Sequence, residues 1–239
     1  NIYTIMLLIH VGKCGGSNIM QKFKNIHNIN IKSIHVSSTN INNKKKIKEN
    51  NLCLLVRDPI TRYLSIFYYW KKLNIKYLNN ESIPHKQNVK KYKIFFDYFK
   101  NANHLAESLS NENIKIIKNS VHVLNNIIHF KQGFNFYLCD KKTIKNNIKN
   151  FKFIIRQEYY KDDFTLFYNF MCSKYNLKNN IEKFIKKNIN NTDKFNDEKK
   201  LSQLAINNLR KYFIKDYKIL EYLSEVKLLP KNYIDSFIK

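Results

Sequence analysis

Glycine is scarce in this chain, and where it stands limits what the chain can become. Four glycines occur in 239 residues, and three of them, Gly12, Gly15 and Gly16, fall within M-L-L-I-H-V-G-K-C-G-G-S at residues 6–17. A short apolar run therefore ends in a glycine loop, and the loop opens a helix-like segment over 18–24. Glycine belongs where backbone must turn tightly or lie close against a ligand. A strand that feeds such a loop and then a helix N-terminus gathers backbone N–H groups and a partial positive charge at one point. That geometry suits a phosphate or a sulfate. A tight structural turn is the plain alternative.

The loop is not the nucleoside-triphosphatase P-loop, whose pattern G-x-x-x-x-G-K-S/T places lysine after the glycines. Here Lys13 precedes the pair Gly15-Gly16. The parts are the same in kind: a cation, a pliable backbone, and the hydroxyl of Ser17 at the helix start. A second motif follows the buried-looking run L-C-L-L-V at 52–56, namely Arg57-Asp58-Pro59-Ile60-Thr61-Arg62-Tyr63-Leu64-Ser65. Pro59 suits the first turn of a helix and Asp58 its N-cap. Arg57 closes the strand, and Ser65 lies nearly two helical turns on. A guanidinium fork with a hydroxyl suits a terminal phosphate. Asp58 can be only a cap, and Arg62 only a surface residue.

Strands are expected at 3–11, 32–36, 52–56, 134–139 and 151–155. Helices are expected at 18–24, 60–72, 92–100, 104–110, 162–175 and 201–223. The last repeats apolar residues at spacings of three and four. Residues 114–130 read as helix, or as a strand near 121–124; 74–91, with Pro84, reads as an excursion; 37–51 and 181–197 read as polar links. Strands alternating with helices give an α/β fold. We expect one domain over 1–239, with a P-loop-like parallel β-sheet flanked by helices and a mostly helical acceptor-side insertion. Ligands of such sheets sit beyond the carboxyl ends of the strands, where both motifs fall.

Composition narrows the partner only a little. Lysine and arginine number 43 against 18 acids, a net charge of +25. An acidic partner would explain this; so would the drift of an AT-rich genome, given the abundance of Lys, Asn and Ile. The stretches Lys44-Lys45-Lys46 and Lys71-Lys72 favour an anionic acceptor or are solvated loop. The four cysteines, Cys14, Cys53, Cys139 and Cys172, form no C-x-x-C pair, so neither zinc nor a disulfide framework is expected, and Cys53 and Cys172 read as buried thiols. No apolar run approaches a membrane span. The expected location is cytoplasmic, with an anchor or signal upstream of Asn1 as the alternative.

Together the two motifs resemble the PAPS-dependent sulfotransferases, the carbohydrate branch more than the cytosolic one. H-V-G-K-C-G-G-S is similar to that branch's H-x-P-K-T/C-G-G/T-T/S loop for the 5′-phosphosulfate. V-R-D-P-I-T-R-Y-L-S is similar to its R-D/N-P-x-x-R-x-x-S segment for the 3′-phosphate. F-I-I-R-Q-E-Y-Y-K-D-D-F at 153–164 resembles the family's strand, glutamate and acidic helix, and 201–223 resembles its terminal helix. The chain departs from the pattern at Gly12, where many members have proline, and in its lysine-rich insert before Leu52.

The resemblance implies roles. Lys13 would contact the bridging oxygen and the sulfuryl group. Cys14, Gly15, Gly16, Ser17 and Asn18 would wrap the 5′-phosphate, and Arg57 and Ser65 would hold the 3′-phosphate. PAPS (3′-phosphoadenosine 5′-phosphosulfate) would be the donor, with no metal. The acceptor would be a small molecule or glycan bearing a hydroxyl or amine; no nucleic-acid partner is expected.

An acceptor hydroxyl needs a base, and histidine titrates near neutrality. His35, at the end of the second expected strand, is the first choice, and Glu158 is the acidic alternative unless it pairs with Arg156 or a lysine. His10 reads as core or site. His122 and His129 are candidates for lining an acceptor pocket, and His27, His85 and His104 read as surface. Tyr68, Tyr69 and Trp70 would stack on an acceptor or fill a helix's buried face. Two competitors remain. A kinase-like enzyme on the same sheet would need a magnesium-binding Asp near a strand end, where only Asp58 and Asp140 stand. A nucleic-acid binder would bind with strong salt dependence and without need of the 12–17 loop.

Overall fold

The structure, a computed structural model, describes residues 6–27, 31–34, 51–179, 181–182 and 199–238. In chain order the elements are β1 (Leu7–Ile9), α1 (Gly16–His27), β2 (Lys32–Ile34), β3 (Leu52–Val56), α2 (Pro59–Leu78), α3 (Lys86–Tyr98), α4 (Ala102–Glu107), α5 (Ile114–Asn126) and α6 (Ile128–Lys131). There follow α7 (Phe134–Leu138), α8 (Lys141–Asn147), β4 (Phe151–Arg156), α9 (Tyr160–Tyr175), α10 (Gln203–Tyr212), α11 (Ile214–Glu225) and α12 (Lys231–Ile238). These divide into two compact units. One spans Asn1–Asp58, Gln132–Asn190 and Lys215–Lys239; the other spans Pro59–Lys131 and Asn191–Ile214. No described helix is long and apolar enough to cross a membrane.

The first unit is α/β. Its four described strands lie in the order β2-β1-β3-β4, and every pairing among them is parallel. Parallel strands need covered faces, and β3 is buried at all five positions. Its neighbour β1 is buried at all three. Around Phe23 of α1, the rings of Phe167 and Tyr168 of α9 pack at centroid distances of 5.9 and 5.8 Å. Order fixes where a ligand can go. From β1 the chain crosses to β2 on one side; from β3 it proceeds to β4 on the other. The crevice between β1 and β3, at their carboxyl ends, is thus the switch point of the sheet, the usual ligand position in such folds.

Every regular element of the second unit's described residues is a helix. The Tyr63 hydroxyl of α2 donates to the Ala102 carbonyl at 2.6 Å, and its ring stacks on Phe130 at 5.3 Å. Trp70 meets Tyr92 edge-on at 5.0 Å. The Asn208 amide of α10 donates to the Ala106 carbonyl at 3.0 Å.

Several elements differ from expectation. Residues 134–139, expected as a strand, form the one-turn helix α7, because Phe134, Tyr137 and Leu138 are the buried positions. That spacing of three and four is helical. The main-chain N–H of Asn135 also donates to Asp216 Oδ1 at 3.1 Å, a partner 81 residues away. The excursion expected over 74–91 is shorter: α2 runs on to Leu78, and α3 starts at Lys86. Leu73 and Asn74 of α2, and Val89 and Tyr92 of α3, are buried, so packing extends both helices. The single helix expected over 201–223 breaks at Phe213, whose N–H closes on the Leu209 carbonyl at 2.8 Å. Residues 114–130 are helical, as α5 and α6. Residues 35–50, 180 and 183–198 lie outside the described residues, and with them most of the two polar links.

Candidate functional site

The loop after β1 is shaped by its own sequence. Lys13 and Gly15 both take positive φ, 69° and 93°. The left-handed region is uncommon for a residue with a side chain, and strain of this kind gathers at ligand sites. The Cys14 N–H donates to the Val11 carbonyl at 3.1 Å, and the Asn18 N–H to the Gly15 carbonyl at 3.1 Å. Helix α1 then starts at Gly16 with no acidic side chain in its first turn. Its N-terminus, where backbone N–H groups lack helical partners, keeps its partial positive charge.

Gly16 is required by contact, and Gly15 by its φ of 93°. A Cβ on Gly16 would stand 2.2 Å from His10 Cδ2, and one on Gly15 would stand 2.3 Å from Gln157 Oε1. The buried His10 ring is therefore a wall of the loop. Cys14 is fully buried, so what it presents to the loop is backbone, not thiol. Lys13 is half-buried and Ser17 exposed.

Arg57 closes the crevice from the other strand. Its Nη1 donates to the Lys13 carbonyl at 3.2 Å, which ties the end of β3 to the loop after β1. The next peptide is held as well: the Asp58 N–H donates to Glu158 Oε1 at 3.0 Å. The Tyr233 hydroxyl of α12 donates to Glu158 Oε2 at 2.7 Å, and the Tyr217 hydroxyl of α11 to Asp58 Oδ1 at 2.8 Å. Glu158 does not pair with Arg156. That guanidinium forks onto Asp163 instead, at 2.7 and 2.6 Å, and the pairing pushes its pKa up further.

The structure thus brings Lys13, Cys14, Gly15, Gly16, Ser17, Asn18 and Arg57 to one end of the sheet. Ser65 lies on α2, in the helical unit. His35 lies outside the described residues. Arg62 is no surface residue: it is fully buried, and its Nη2 donates to the His129 carbonyl. His129 also accepts from Trp70 Nε1 at 3.3 Å, so it is packed into its own unit. Tyr68 and Trp70 are buried core. His122 lines a cavity of about 240 Å³ with Phe95, Tyr98 and Asn119 among others. His27 is partly buried, and its Nε2 lies 2.9 Å from the Tyr168 hydroxyl. Among the described residues no group of three or more His, Cys, Asp or Glu side chains is placed to hold a metal ion.

Sequence reasoning gave no role to Gln157, Tyr217 or Tyr233. Gln157 directly follows β4, a third strand end on the same edge, and that position was a usable signal. Its Oε1, like Oδ1 of Asn18, is buried without a hydrogen-bond partner. The two tyrosines carried no local signal, since their partners lie 159 and 75 residues away. Against this site stands a negative finding: no family model, no curated protein and no solved structure matches the chain.

Proposed function

We propose that the protein transfers a sulfuryl group from PAPS to a hydroxyl or amine acceptor, a carbohydrate by resemblance, and releases PAP (3′-phosphoadenosine 5′-phosphate). One observation carries the reading. At the switch point of a parallel sheet, a strained Lys-Cys-Gly-Gly-Ser loop opening a helix is tied to the arginine that ends the adjacent strand. An anion cradle with a second cation beside it suits a nucleotide phosphorylated at both the 5′ and 3′ ends. The carboxamide oxygens of Asn18 and Gln157, buried without a hydrogen-bond partner, support it, because a turned amide offers two N–H donors.

PAPS would supply the activated sulfur–oxygen bond. In the transfer a bond forms from the acceptor oxygen or nitrogen to sulfur, and the bond from sulfur to the bridging oxygen breaks. The acceptor loses a proton, and the leaving phosphate gains negative charge. Lys13 and the N-terminus of α1 would stabilise that charge, and the rest of the chemistry is positioning. Arg57 would hold the 3′-phosphate. His35 would take the proton; Glu158, with both oxygens engaged, fits a holding role better. The cavity beside His122 is lined mostly by apolar side chains, so the carbohydrate acceptor rests on the resemblance.

Titration calorimetry with PAP, ATP and an oligonucleotide tests the reading. Clear PAP binding, lost in Lys13→Ala and in Arg57→Ala, is the expected result. Indifference to PAP overturns it, magnesium-dependent ATP binding would instead indicate the kinase-like enzyme, and salt-sensitive oligonucleotide binding the nucleic-acid binder.

A further inference from the structure

We infer that Tyr233 and Tyr217, from the two C-terminal helices, are positioning residues for Arg57 and act through Glu158 and Asp58. The inference rests on the donor reading above, in which Arg57 meets the 3′-phosphate.

The path is short and continuous. The peptide that joins Arg57 to Asp58 presents its N–H to Glu158 Oε1 at 3.0 Å. The other oxygen of that carboxylate accepts from Tyr233 at 2.7 Å. One hydroxyl thereby fixes the carboxylate that fixes the backbone next to the arginine. The Asp58 side chain is held separately by Tyr217 at 2.8 Å. Asp58, Tyr217 and Tyr233 are all buried. Left half-made, the buried Asp58–Tyr217 pair is costly at low dielectric; Glu158 itself is exposed and is held by its two hydrogen bonds. Burial, and then the neighbouring Glu158 carboxylate, push the Tyr233 phenol well above its ordinary pKa, so it stays a donor at any working pH. The guanidinium itself is held by the Lys13 carbonyl of the loop after β1. Arg57 is thus fixed at its backbone by the C-terminal helices and at its tip by the loop. A fork acts on a phosphate only when its geometry is set beforehand. On this account the residues after 215 help to build the donor site rather than merely cover the sheet.

The test uses Tyr233→Phe, which removes one oxygen, and compares PAP with AMP, which lacks the 3′-phosphate. Wild type is expected to bind PAP more tightly than AMP. Tyr233→Phe should weaken PAP roughly threefold to tenfold, the range for an ordinary hydrogen bond, and leave AMP within about twofold. The loss should vanish in an Arg57→Ala background. Tyr217→Phe, made independently, should show the same selectivity for PAP, and urea unfolding of each variant confirms that it is folded. Equal losses for PAP and AMP mark a merely structural role and overturn the inference; so does an unchanged preference for PAP. A wild-type chain that binds PAP no better than AMP overturns the donor reading itself, and the inference with it. The behaviour of the wild type therefore separates the two failures.

Discussion

Arg57 reaches across the sheet crevice to the main chain of Lys13, with Nη1 3.2 Å from the carbonyl oxygen. The contact joins two strand ends whose onward connections run in opposite directions. It uses the fork of the guanidinium, which can hold one partner while presenting itself to another. Arg57→Ala should therefore weaken PAP by roughly tenfold to a hundredfold, the worth of a charge-assisted hydrogen bond. Arg57→Lys should recover only a small part, since an ammonium keeps the charge without the fork. Calorimetry on the three proteins decides it; full recovery by lysine would mean that charge alone matters here.

Gly16 and His10 form a second coupled pair. Gly16 needs no unusual φ, so its constraint is contact alone: a methyl group would meet the His10 ring at 2.2 Å. Gly16→Ala should cost about 1–3 kcal/mol of stability, the usual range for an overpacked site. Adding His10→Ala should recover part of that loss, although the same change alone in wild type opens a cavity and destabilises. The measurement is a double-mutant cycle in urea. Additive effects would show that the ring does not set the requirement for glycine.

How far the sequence could be read follows from which forces are local. The glycine loop, the buried run at 52–56 and the α/β alternation were legible, because turn chemistry and apolar periodicity are written in neighbouring residues. The parallel sheet and the meeting of Lys13 with Arg57 at one edge followed from them. What could not be read was decided at a distance. F-N-F-Y-L-C alternates well enough for a strand, yet a carboxylate from 81 residues downstream accepts from its backbone within a helical turn. Arg62 reads as a surface cation, and it is buried because a carbonyl from another helix accepts from it. The tyrosines on Asp58 and Glu158 belong to the same class.

Asp216 gives that lesson a measurable form. Its Oδ1 accepts from the Asn135 N–H at 3.1 Å, and a Cβ on Gly133, just before α7, would stand 2.1 Å from its Oδ2. The side chain is buried. Asp216→Ala should leave a backbone donor of α7 without this partner and cost about 1–2 kcal/mol, comparable to losing a helix cap. Gly133→Ala should destabilise by pushing the same carboxylate away, and in an Asp216→Ala background it should cost much less. Urea unfolding of the four proteins reads the coupling; a Gly133→Ala penalty unchanged without Asp216 would place its origin elsewhere.

His27 predicts how stability responds to acid. Its ring packs on Phe23 at 5.9 Å and on Tyr168 at 5.7 Å, and its Nε2 lies 2.9 Å from the Tyr168 hydroxyl. Burial lowers its pKa below the ordinary value of 6.5. Between the lowered folded value and the unfolded value, the unfolded chain binds the proton more readily, so protonation favours unfolding. The contribution of His27 is complete above 6.5 and declines as pH falls through the window beneath it. His27→Gln keeps a hydrogen-bonding group near Tyr168 but cannot titrate. Urea midpoints taken at about pH 7.5, 6.5 and 5.5, spanning the ordinary histidine range, should fall more steeply in wild type than in the variant. The difference isolates His27 from the other histidines, which both proteins share. Parallel curves would mean that this ring is as easily protonated in the folded chain as in the unfolded one.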